Sequence, residues 1–429
     1  MEGLCHAVQN IAGSPVRSDM KILLINHYAG SPEMGMEFRP YHFGKEWVEM
    51  GHEVTIVGAS FSHLRSKQPK VEKRDVTEEW IDGIRYLWIK TDSYKGNGIG
   101  RIKNMMTFLR KLRKYRHLFV EVIEPDVVIA SSTYPLDIYP ARKIASMAKA
   151  KLIFEVHDLW PLSPMEISGY PKWHPFIMVM QKGEDAACKY SDAVVSLLPR
   201  ADLHLAERGM DVGKFHWVSN GVVAEDWENS EPIPGKMKIK INALREKGEF
   251  LIGYAGGHAD SNYLDFFLDA LASVKEENIT GVLVGDGIRK EELMNRATRE
   301  GISNVVFLDP IPKMQVPDFL SHMDCLYNGI KHTKLSQYGT CFNKVYDYMM
   351  AGKPIINVAT APNDTVGDAQ CGYTIEGEDP EKLRETILRI AAMTSDERRK
   401  MGENGKKCVL KEYEYKKLSK KFIDILSQL

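Results

Sequence analysis

The sequence predicts an α/β protein with two Rossmann-like domains that face a cleft, and three observations support this fold class. The segment 21–59 runs from an apolar strand through a glycine-bearing loop and a helix to a second strand, which is a βαβ unit. The same pattern restarts at Phe250, after a charged stretch, 223–248, that contains Pro232 and Pro234. At 429 residues, the chain has the length of two domains.

In the first half, short apolar runs alternate with helical segments, as expected for a parallel sheet covered by helices. The predicted strands are KILLIN (21–26), HEVTIVGAS (52–60), DVVIAS (126–131), KLIFEV (151–156) and AVVSLL (193–198). Such folds bind ligands at the carboxyl ends of strands, which places Gly35 and Arg39 beside the predicted crevice. His157 and Asp158 follow the strand 151–156 directly and are candidate catalytic residues. The alternative is a histidine that is hydrogen-bonded within its own loop.

The second half repeats this alternation and ends in helices. FLIGYA (250–255) is a predicted strand, and Gly256, Gly257 and His258 form a tight turn after it. The last segments are helical and long enough to pack back across the first domain. The predicted organisation is a disordered extension (1–19), an N-terminal Rossmann-like domain (20–222), a linker (223–248), a C-terminal Rossmann-like domain (249–410) and a C-terminal helix crossing back (411–429).

The stretch QYGTCFNKVYDYMMAGKPII (337–356) predicts a glycine turn, a helix over Asn343–Met350 and a strand after Pro354. Lys344 falls in the first turn of that helix, where the macrodipole disfavours a cation unless an anion binds there. Asp347 is predicted to share the helix face of Lys344, and its carboxylate can accept both hydrogen bonds of a ribose diol. The stretch therefore predicts a nucleotide-diphosphate site. An ordinary capped helix with a solvated Lys–Asp pair is the alternative.

The composition is that of an ordinary globular protein, with 44% hydrophobic residues, 27% charged residues and a net charge of −1. This balance argues against a nucleic-acid-binding protein. The six scattered cysteines form no CxxC pair and are interpreted as reduced thiols of a cytoplasmic protein. No apolar run approaches the roughly 20 residues of a membrane span, and residues 1–19 lack the apolar core of a signal peptide.

The segment Arg101–Glu121 predicts one basic amphipathic helix. Such a helix can lie on an anionic bilayer, where each Lys or Arg adds about 1 kcal/mol. Arg110, Lys111, Arg113 and Lys114 are therefore candidates for contact with an anionic membrane surface. The alternative is a domain helix that packs its apolar stripe on the core and turns its charges to water.

Taken together, these motifs resemble the glycosyltransferases of family 4, the large retaining group with the B-type fold. The resemblance runs from Met20 to about Leu410 and rests on the order of GHEVTIV, the His157-Asp158 pair, the Asn220-Gly221 turn, GYAGGH, VLVGDG and NKVYDYMMAGKPII. The forms EVHDLWP and NKxxDYMxAGKPI are most similar to the bacterial branch that builds surface polysaccharides such as O-antigen and capsule, including N-acetyl-fucosamine-type transferases.

The resemblance implies a nucleotide-sugar donor, and we expect a UDP-linked one, with an N-acetylated amino sugar as a candidate. It also implies a glycan or polyprenyl-diphosphate-linked acceptor. In this family pattern 20–222 is the acceptor-side domain and 249–410 the nucleotide-sugar-binding domain. The basic residues Arg110, Lys111, Arg113 and Lys114 are then candidates for contact with the acceptor at the inner face of the cell membrane. Asp347 matches the acid that grips the ribose, His157 the histidine that meets the donor sugar, and Gly35 the loop that closes on the diphosphate. The predicted donor-binding residues are Gly35, Arg39, Gly256, Gly257, His258, Gly339, Thr340, Asn343, Lys344 and Asp347.

Two positions depart from the family pattern. The family's first acid falls on Gly339, so its contact to the sugar hydroxyls must come from elsewhere, such as the amides of the loop 339–343. The family's phosphate-binding Arg and Lys fall on Gly257 and Asn262. The remaining candidates for the diphosphate charge are Lys344, His258, Lys331 and Lys334.

No DxD triplet occurs, so we expect a metal-independent reaction without a cofactor, in which helix amides and a lysine stabilise the leaving group. The family's front-face route implies that the departing phosphate oxygen helps to deprotonate the acceptor. His157, Asp158 and Lys344 form the predicted catalytic set. One alternative is a nucleotide-sugar epimerase of the same shape, which would need added acids and bases such as His258, Asp260 and Asp158. The other alternative is a non-catalytic subunit that binds a nucleotide-sugar.

Overall fold

The computed structural model of the protein describes residues 19–35, 38–71, 74–96 and 98–429. Within these residues the chain forms an eight-stranded and a six-stranded sheet, with buried apolar clusters on both faces of each sheet. We call the halves built on these sheets the first and the second domain. The predicted fold class, two Rossmann-like α/β domains, is confirmed. The expected disorder of residues 1–18 lies outside the described residues.

The first sheet consists of Lys21–Ile25 (β1), Glu53–Ala59 (β2), Val76–Ile81 (β3), Ile84–Ile89 (β4), Val127–Ala130 (β5), Lys151–Val156 (β6), Ala193–Ser196 (β7) and Phe215–Trp217 (β8). Their order is β3-β4-β2-β1-β5-β6-β7-β8, and β3 is the antiparallel strand at one edge. The sequence does not predict the β3–β4 hairpin. Glu78, Glu79 and the exposed Trp80 interrupt the apolar run that marks a buried strand, as is usual for an edge strand.

Helices of the first domain are Phe38–Glu49 (α1), Ile99–Lys114 (α2), Arg116–Ile123 (α3), Ile138–Ala148 (α4), Leu162–Ser168 (α5), Pro175–Tyr190 (α6) and Ala201–Glu207 (α7). The prediction of one helix over Arg101–Glu121 is wrong, because the chain leaves the helical conformation at Tyr115 and restarts as α3. Met105, Phe108 and Leu112 are buried, so the apolar stripe of α2 packs on the core.

Ala224–Glu228 (α8) and Gly235–Glu246 (α9) connect the two sheets. The second sheet has the parallel order β11-β10-β9-β12-β13-β14 and consists of Phe250–Ala255 (β9), Ile279–Val284 (β10), Val305–Leu308 (β11), Cys325–Gly329 (β12), Ile355–Val358 (β13) and Gly372–Ile375 (β14). Its helices are Leu264–Ser273 (α10), Lys290–Glu300 (α11), Val316–Ser321 (α12), Asn343–Met350 (α13), Thr365–Asp368 (α14), Pro380–Ala391 (α15) and Ser395–Glu412 (α16).

The last helix, Tyr415–Ser427 (α17), crosses back to the first domain, whereas α15 and α16 pack on α10 and α13 of the second. The ring of Phe422 lies 5.5 Å from that of Phe43 and 5.2 Å from that of Trp47. Buried aromatic side chains contribute a large share of the stabilising energy where two elements pack together. The two domains are therefore joined by α17 as well as by α8 and α9. None of the described helices is long and apolar enough to cross a membrane.

Candidate active site

Side chains of both domains line one cleft of about 290 Å³. His157 follows β6 and Leu197 follows β7, so both lie at the carboxyl edge of the first sheet. Lys313, which follows β11, and Asp347 of α13 approach from the second domain. Parallel sheets carry their ligand sites at this edge. The remaining lining residues are Arg39, His42, Asn220, Gly221, Val222, Val223, Asp226, Trp227, Asn343 and Tyr415.

A buried hydrogen-bond network holds His157 at the cleft. Its Nε2 lies 2.9 Å from Ser131 Oγ and 3.3 Å from Glu155 Oε2. Ser131 Oγ donates to the same Glu155 oxygen at 2.6 Å. Because Nε2 is engaged behind the cleft, Nδ1 is the ring nitrogen left for a ligand. The predicted position of His157 beside the crevice agrees with this geometry. The sequence did not predict the hydrogen-bond network.

Arg39 closes the network on its other side. Its Nε donates to Glu155 Oε1 at 2.9 Å, and Nη1 and Nη2 donate to the carbonyl oxygens of Ser219 and Val218 at 2.7 and 2.8 Å. Burial raises the pKa of Glu155, but Arg39 and His157 outweigh it and bring the pKa to about 2. The guanidinium of Arg39 is thus committed to protein groups. Arg39 fixes the cleft wall that it lines, and its donor-binding role stays a prediction.

Asp347 reaches the cleft from α13 and forms an ion pair with Lys313. Asn343, one turn earlier on the same helix, lines the same cavity. The carboxylate expected to bind a ribose is therefore in the cleft and largely screened from solvent. The sequence did not indicate Lys313 as a partner of Asp347, because the two residues are 34 positions apart in the chain.

Lys344 points elsewhere. Its Nζ donates to Tyr254 OH at 3.3 Å and to the side-chain oxygen of Asn262, next to the glycine turn after β9. Burial lowers the pKa of Lys344 to about 8. Lys344 and Asp347 are three residues apart on α13, as predicted, but their side chains contact different neighbours. Asp347 lines the cleft, whereas Lys344 lies against the turn.

The predicted tight turn at Gly256, Gly257 and His258 is present, with a left-handed φ of +155° at Gly256. Gly257 O accepts from Tyr254 OH at 2.7 Å and from Asn262 Nδ2 at 2.9 Å. His258 is fully buried, and neither ring nitrogen has a hydrogen-bond partner among the described residues. Burial lowers the pKa of His258. Its ring is held under the turn, so its predicted contact with the donor gains no support.

The loop at Gly339 and Thr340 faces the first domain. A Cβ on Gly339 would lie 2.5 Å from the ring of Pro199, and its φ is +98°. Thr340 is bound through both backbone groups by Asn363, at 2.9 Å each. The Thr340 amide is therefore occupied and is not left to replace the missing acid, whereas the same expectation for the amides of 341–343 stays a prediction. Gly339 is glycine because the two domains touch there.

Gly35 lies beside another loop of the first domain. It forms an isolated bridge with Arg65, and a Cβ added to it would lie 3.1 Å from Ser66 Oγ. The two residues that follow Gly35 are outside the described ranges. Gly35 is not among the residues that line the cleft, so its role as a diphosphate loop stays a prediction.

Asp158 does not share the cleft with His157. Its carboxylate accepts from Leu159 N at 2.9 Å, from Trp160 Nε1 at 3.2 Å and from Ser163 Oγ, and burial raises its pKa. It lines a second cavity, of about 260 Å³, and is not among the residues that line the cleft. The predicted catalytic role of Asp158 is therefore corrected to that of a loop-fixing residue. Asp260, another acid that the epimerase alternative would need, is in an ion pair with Arg289.

The four basic residues predicted to contact the acceptor or membrane fall into two sets. Lys111 Nζ lies 2.7 Å and Lys114 Nζ 3.0 Å from the carboxylate of Asp75. Arg110 and Arg113 line a separate groove of about 1010 Å³ on the other side of α2. The charges of Lys111 and Lys114 are paired with Asp75, whereas Arg110 and Arg113 line the groove, and contact of the four residues with an acceptor or membrane stays a prediction.

Sequence reasoning missed Ser131, Glu155 and Lys313. For Glu155 a signal exists, because residues two apart on a strand point to the same face, and Glu155 precedes His157 by two. An acid within the apolar run KLIFEV is itself a sign of a buried partner. Among the described residues, no group of three His, Cys, Asp or Glu side chains could hold a metal ion.

Comparison with protein families matches both domains. Residues 34–226 match the model of Glycosyltransferase Family 4, and residues 249–393 match that of Glycosyl transferases group 1. With the two facing Rossmann-like domains, these matches identify the chain as a glycosyltransferase of the B-type fold. Its first domain is of the family 4 type and its second of the group 1 type. Comparison with curated proteins finds no match.

Several solved structures share this fold along nearly the whole chain. Sucrose-phosphate synthase from Thermosynechococcus elongatus is 16% identical, with a TM-score of 0.71 over 96% of this chain and 99% of that chain. HepE from Anabaena, in complex with UDP-glucose, is 13% identical, with a TM-score of 0.63 over 96% and 100%. WaaG, a glycosyltransferase involved in lipopolysaccharide biosynthesis, is 14% identical, with a TM-score of 0.65 over 94% and 99%.

Proposed function

We propose that the protein is a retaining, metal-independent glycosyltransferase that moves a sugar from a UDP-linked donor to a glycan or lipid-linked acceptor. One observation carries the proposal. His157 of the first domain and Asp347 of the second line the same interdomain cleft, so one ligand can touch both. A nucleotide-sugar has a ribose at one end and a transferable sugar at the other, which suits such a cleft.

The donor orientation follows from these side chains. The Asp347 carboxylate accepts the hydrogen bonds of the ribose diol, after Lys313 shifts to share it. The diphosphate then lies near the first turn of α13, where helix amides and the dipole favour an anion. Lys344 Nζ contacts Asn262, the position that holds a phosphate-binding lysine in the family resembled. Lys344 therefore supplies from α13 the positive charge that position 262 lacks.

Transfer proceeds on the face of the sugar from which the diphosphate leaves. The bond between the anomeric carbon and the β-phosphate oxygen breaks, and the acceptor oxygen bonds to the anomeric carbon on that same face. The acceptor proton passes to the departing phosphate oxygen, and UDP is released. His157 Nδ1 orients the sugar. The imidazole of His157 then lies close to the positive charge that develops on the sugar ring. Lys344 and the α13 amides stabilise the leaving diphosphate.

The choice of a UDP donor and of surface polysaccharide as the product draws on the relatives. HepE is bound to UDP-glucose and WaaG is involved in lipopolysaccharide biosynthesis. An N-acetylated amino sugar is the proposed transferred group, following the resemblance of the NKxxDYMxAGKPI motif. We place the enzyme in the cytoplasm, with the surface around Arg110 and Arg113 meeting the inner face of the membrane.

Release of UDP from UDP-sugars, with and without added acceptor, tests this function. We expect release only when an acceptor is present, and a loss of about 100-fold in kcat for His157→Ala, the size typical of a group that acts in the transition state. Near-normal product formation by His157→Ala would overturn the assignment. Conversion of the UDP-sugar to an isomer without UDP release would instead establish the epimerase.

A further inference from the structure

A short 3₁₀ helix of the second domain, Lys334–Tyr338, reaches into the first domain, and we call it the interdomain plug. Its last residue, Tyr338, is 9% exposed. The buried apolar cluster to which Tyr338 belongs consists otherwise, among the described residues, of first-domain side chains, which include Ala201 and Leu205 of α7. An aromatic ring carried by the second domain therefore forms part of the apolar core of the first.

A backbone hydrogen bond and a ring contact hold the plug in place. Arg200 N donates to Tyr338 O at 3.0 Å. The ring of Tyr338 lies edge-on to that of His204, with their centroids 5.8 Å apart. His204 Nε2 is 2.9 Å from Glu184 Oε1, so the first domain fixes the histidine against which the tyrosine packs. The receiving surface is thus built before the plug arrives.

Both sides of this contact continue into the donor cleft. In the first domain, the segment after β7 lines the cleft with Leu197 and meets the plug with residues 199–201. In the second domain, the chain runs from the plug through Cys341 to Asn343, which begins α13 and lines the cleft. Cys341 Sγ accepts a hydrogen bond from Asn220 N at 3.2 Å, so the loop between the plug and α13 also touches the segment that joins the domains.

The close approach of the domains at the plug explains the glycine at position 339. A Cβ there would lie 2.5 Å from the ring of Pro199 in the first domain. The acid that the family pattern has at this position would therefore need the two domains to stand farther apart. In this chain, a direct contact between the domains occupies the place of that acid.

We infer that Tyr338 is a positioning residue that holds the His157 and Asp347 walls of the cleft together before any donor is bound. This inference rests on the proposed function, because it concerns the site of that same reaction. Where no such contact exists, the donor itself must supply the free energy that brings the domains together. Its apparent affinity is then reduced in proportion to the fraction of molecules that are closed. With the plug in place, the free protein already has the closed cleft.

Small-angle X-ray scattering tests the plug without any measurement of activity. The radius of gyration is measured with and without UDP for the native protein, Tyr338→Ala, Tyr338→Phe and Lys334→Gln. We expect one value for the native protein in both conditions. Without UDP, the value for Tyr338→Ala should be about 1 Å larger, because its domains separate about their connecting segments, and UDP should restore the native value.

The other two variants are the controls. Tyr338→Phe keeps the ring and should scatter as the native protein does. Lys334→Gln should do so too, because it removes from the same plug only an ion pair with Glu166 whose lysine is 80% exposed. Tyr338→Leu, which keeps an apolar side chain, takes the place of Tyr338→Ala if circular dichroism shows that the alanine variant does not fold.

Two scattering results would overturn the inference. A radius of gyration of the native protein that falls when UDP is added would mean that the donor closes the cleft. Equal values for the native protein and Tyr338→Ala without UDP would mean that other contacts hold the domains together.

Donor kinetics separate positioning from a merely structural role. Tyr338→Ala should raise the donor KM about tenfold, as expected when about one molecule in ten is closed, and should keep kcat near the native value at saturating donor. A lower kcat with an unchanged KM would refute the inference, as would native constants for both. Failure of the native protein to bind UDP would count against the proposed function, whereas the scattering without UDP would still decide the role of Tyr338.

Discussion

The affinity of the protein for its donor should fall as the pH rises, because Lys344 loses its proton. Its ammonium group lies beside Tyr254 and Asn262, and burial lowers its pKa to about 8 from the ordinary 10.5. A bound diphosphate favours the charged form and raises that pKa again. The donor therefore binds the protonated protein, and its affinity falls as the pH passes through about 8.

The size of the effect follows from the pKa. The protonated fraction of Lys344 falls from about 97% at pH 6.5 to about 24% at pH 8.5, so the dissociation constant of the donor should rise about fourfold. The stability of the free protein should change in the opposite direction. Because folding lowers this pKa, the unfolded chain binds the proton more strongly, and the folded state gains stability as the pH rises from about 8 toward 10.5.

Isothermal titration of a UDP-hexose at pH 6.5, 7.5 and 8.5 measures this dependence. The control is Lys344→Met, which should bind weakly and with a dissociation constant that no longer changes over this range. A fourfold change that persists in Lys344→Met would refute the reasoning, because another group would then carry the proton. Full affinity of Lys344→Met at pH 6.5 would refute the contact itself.

Three further substitutions test the cleft walls. Arg39→Met should lower the free energy of unfolding by about 3 kcal/mol in a denaturant titration, because the buried Glu155 carboxylate loses its guanidinium partner. Lys67→Met, which removes an exposed ion pair, should change it little. Gly339→Ala should lower the melting temperature more than Gly377→Ala, because both have positive φ (+98° and +76°) but only at Gly339 would a Cβ meet a proline ring. Ser131→Ala, which removes the hydroxyl between the buried acid and the cleft histidine, should lower kcat about tenfold in a UDP-release assay and leave the donor KM unchanged.

A specific result would contradict each of these three predictions. A similar loss in Lys67→Met would mean that the buried pair is worth no more than a surface pair. Equal melting temperatures for the two glycine variants would place the domain contact away from Gly339. A raised donor KM in Ser131→Ala would mean that the hydroxyl positions the substrate and not the histidine.

Elements with a strong local signal were predicted closely. The helix Asn343–Met350 has its predicted bounds, because a glycine turn precedes it and Gly352 and Pro354 end it. Strands β6 and β9 also have their predicted bounds, since each is a mostly apolar run between polar segments. The cleft position of His157 followed from the rule that α/β folds bind ligands at strand ends, and that of Asp347 from its place on the helix after the glycine turn.

The errors concern contacts between residues far apart in the sequence. Helical spacing places Asp347 and Lys344 near one face, but their directions depend on Lys313 and Asn262, which no local pattern connects to them. The glycine at position 339 also depends on a contact between residues far apart in the sequence. This contact is with Pro199 of the other domain, which only the folded structure shows.

The most direct test of the account is thermal unfolding of the protein with UDP-, GDP- and dTDP-sugars, without metal, repeated on Asp347→Ala. A ligand at 100 times its dissociation constant stabilises the folded state by about 2.7 kcal/mol, which raises the melting temperature measurably. We expect the UDP-sugars alone to give this rise and Asp347→Ala to lose it. No rise with any nucleotide-sugar, or a rise that Asp347→Ala keeps, would contradict the assignment of the cleft as the donor site.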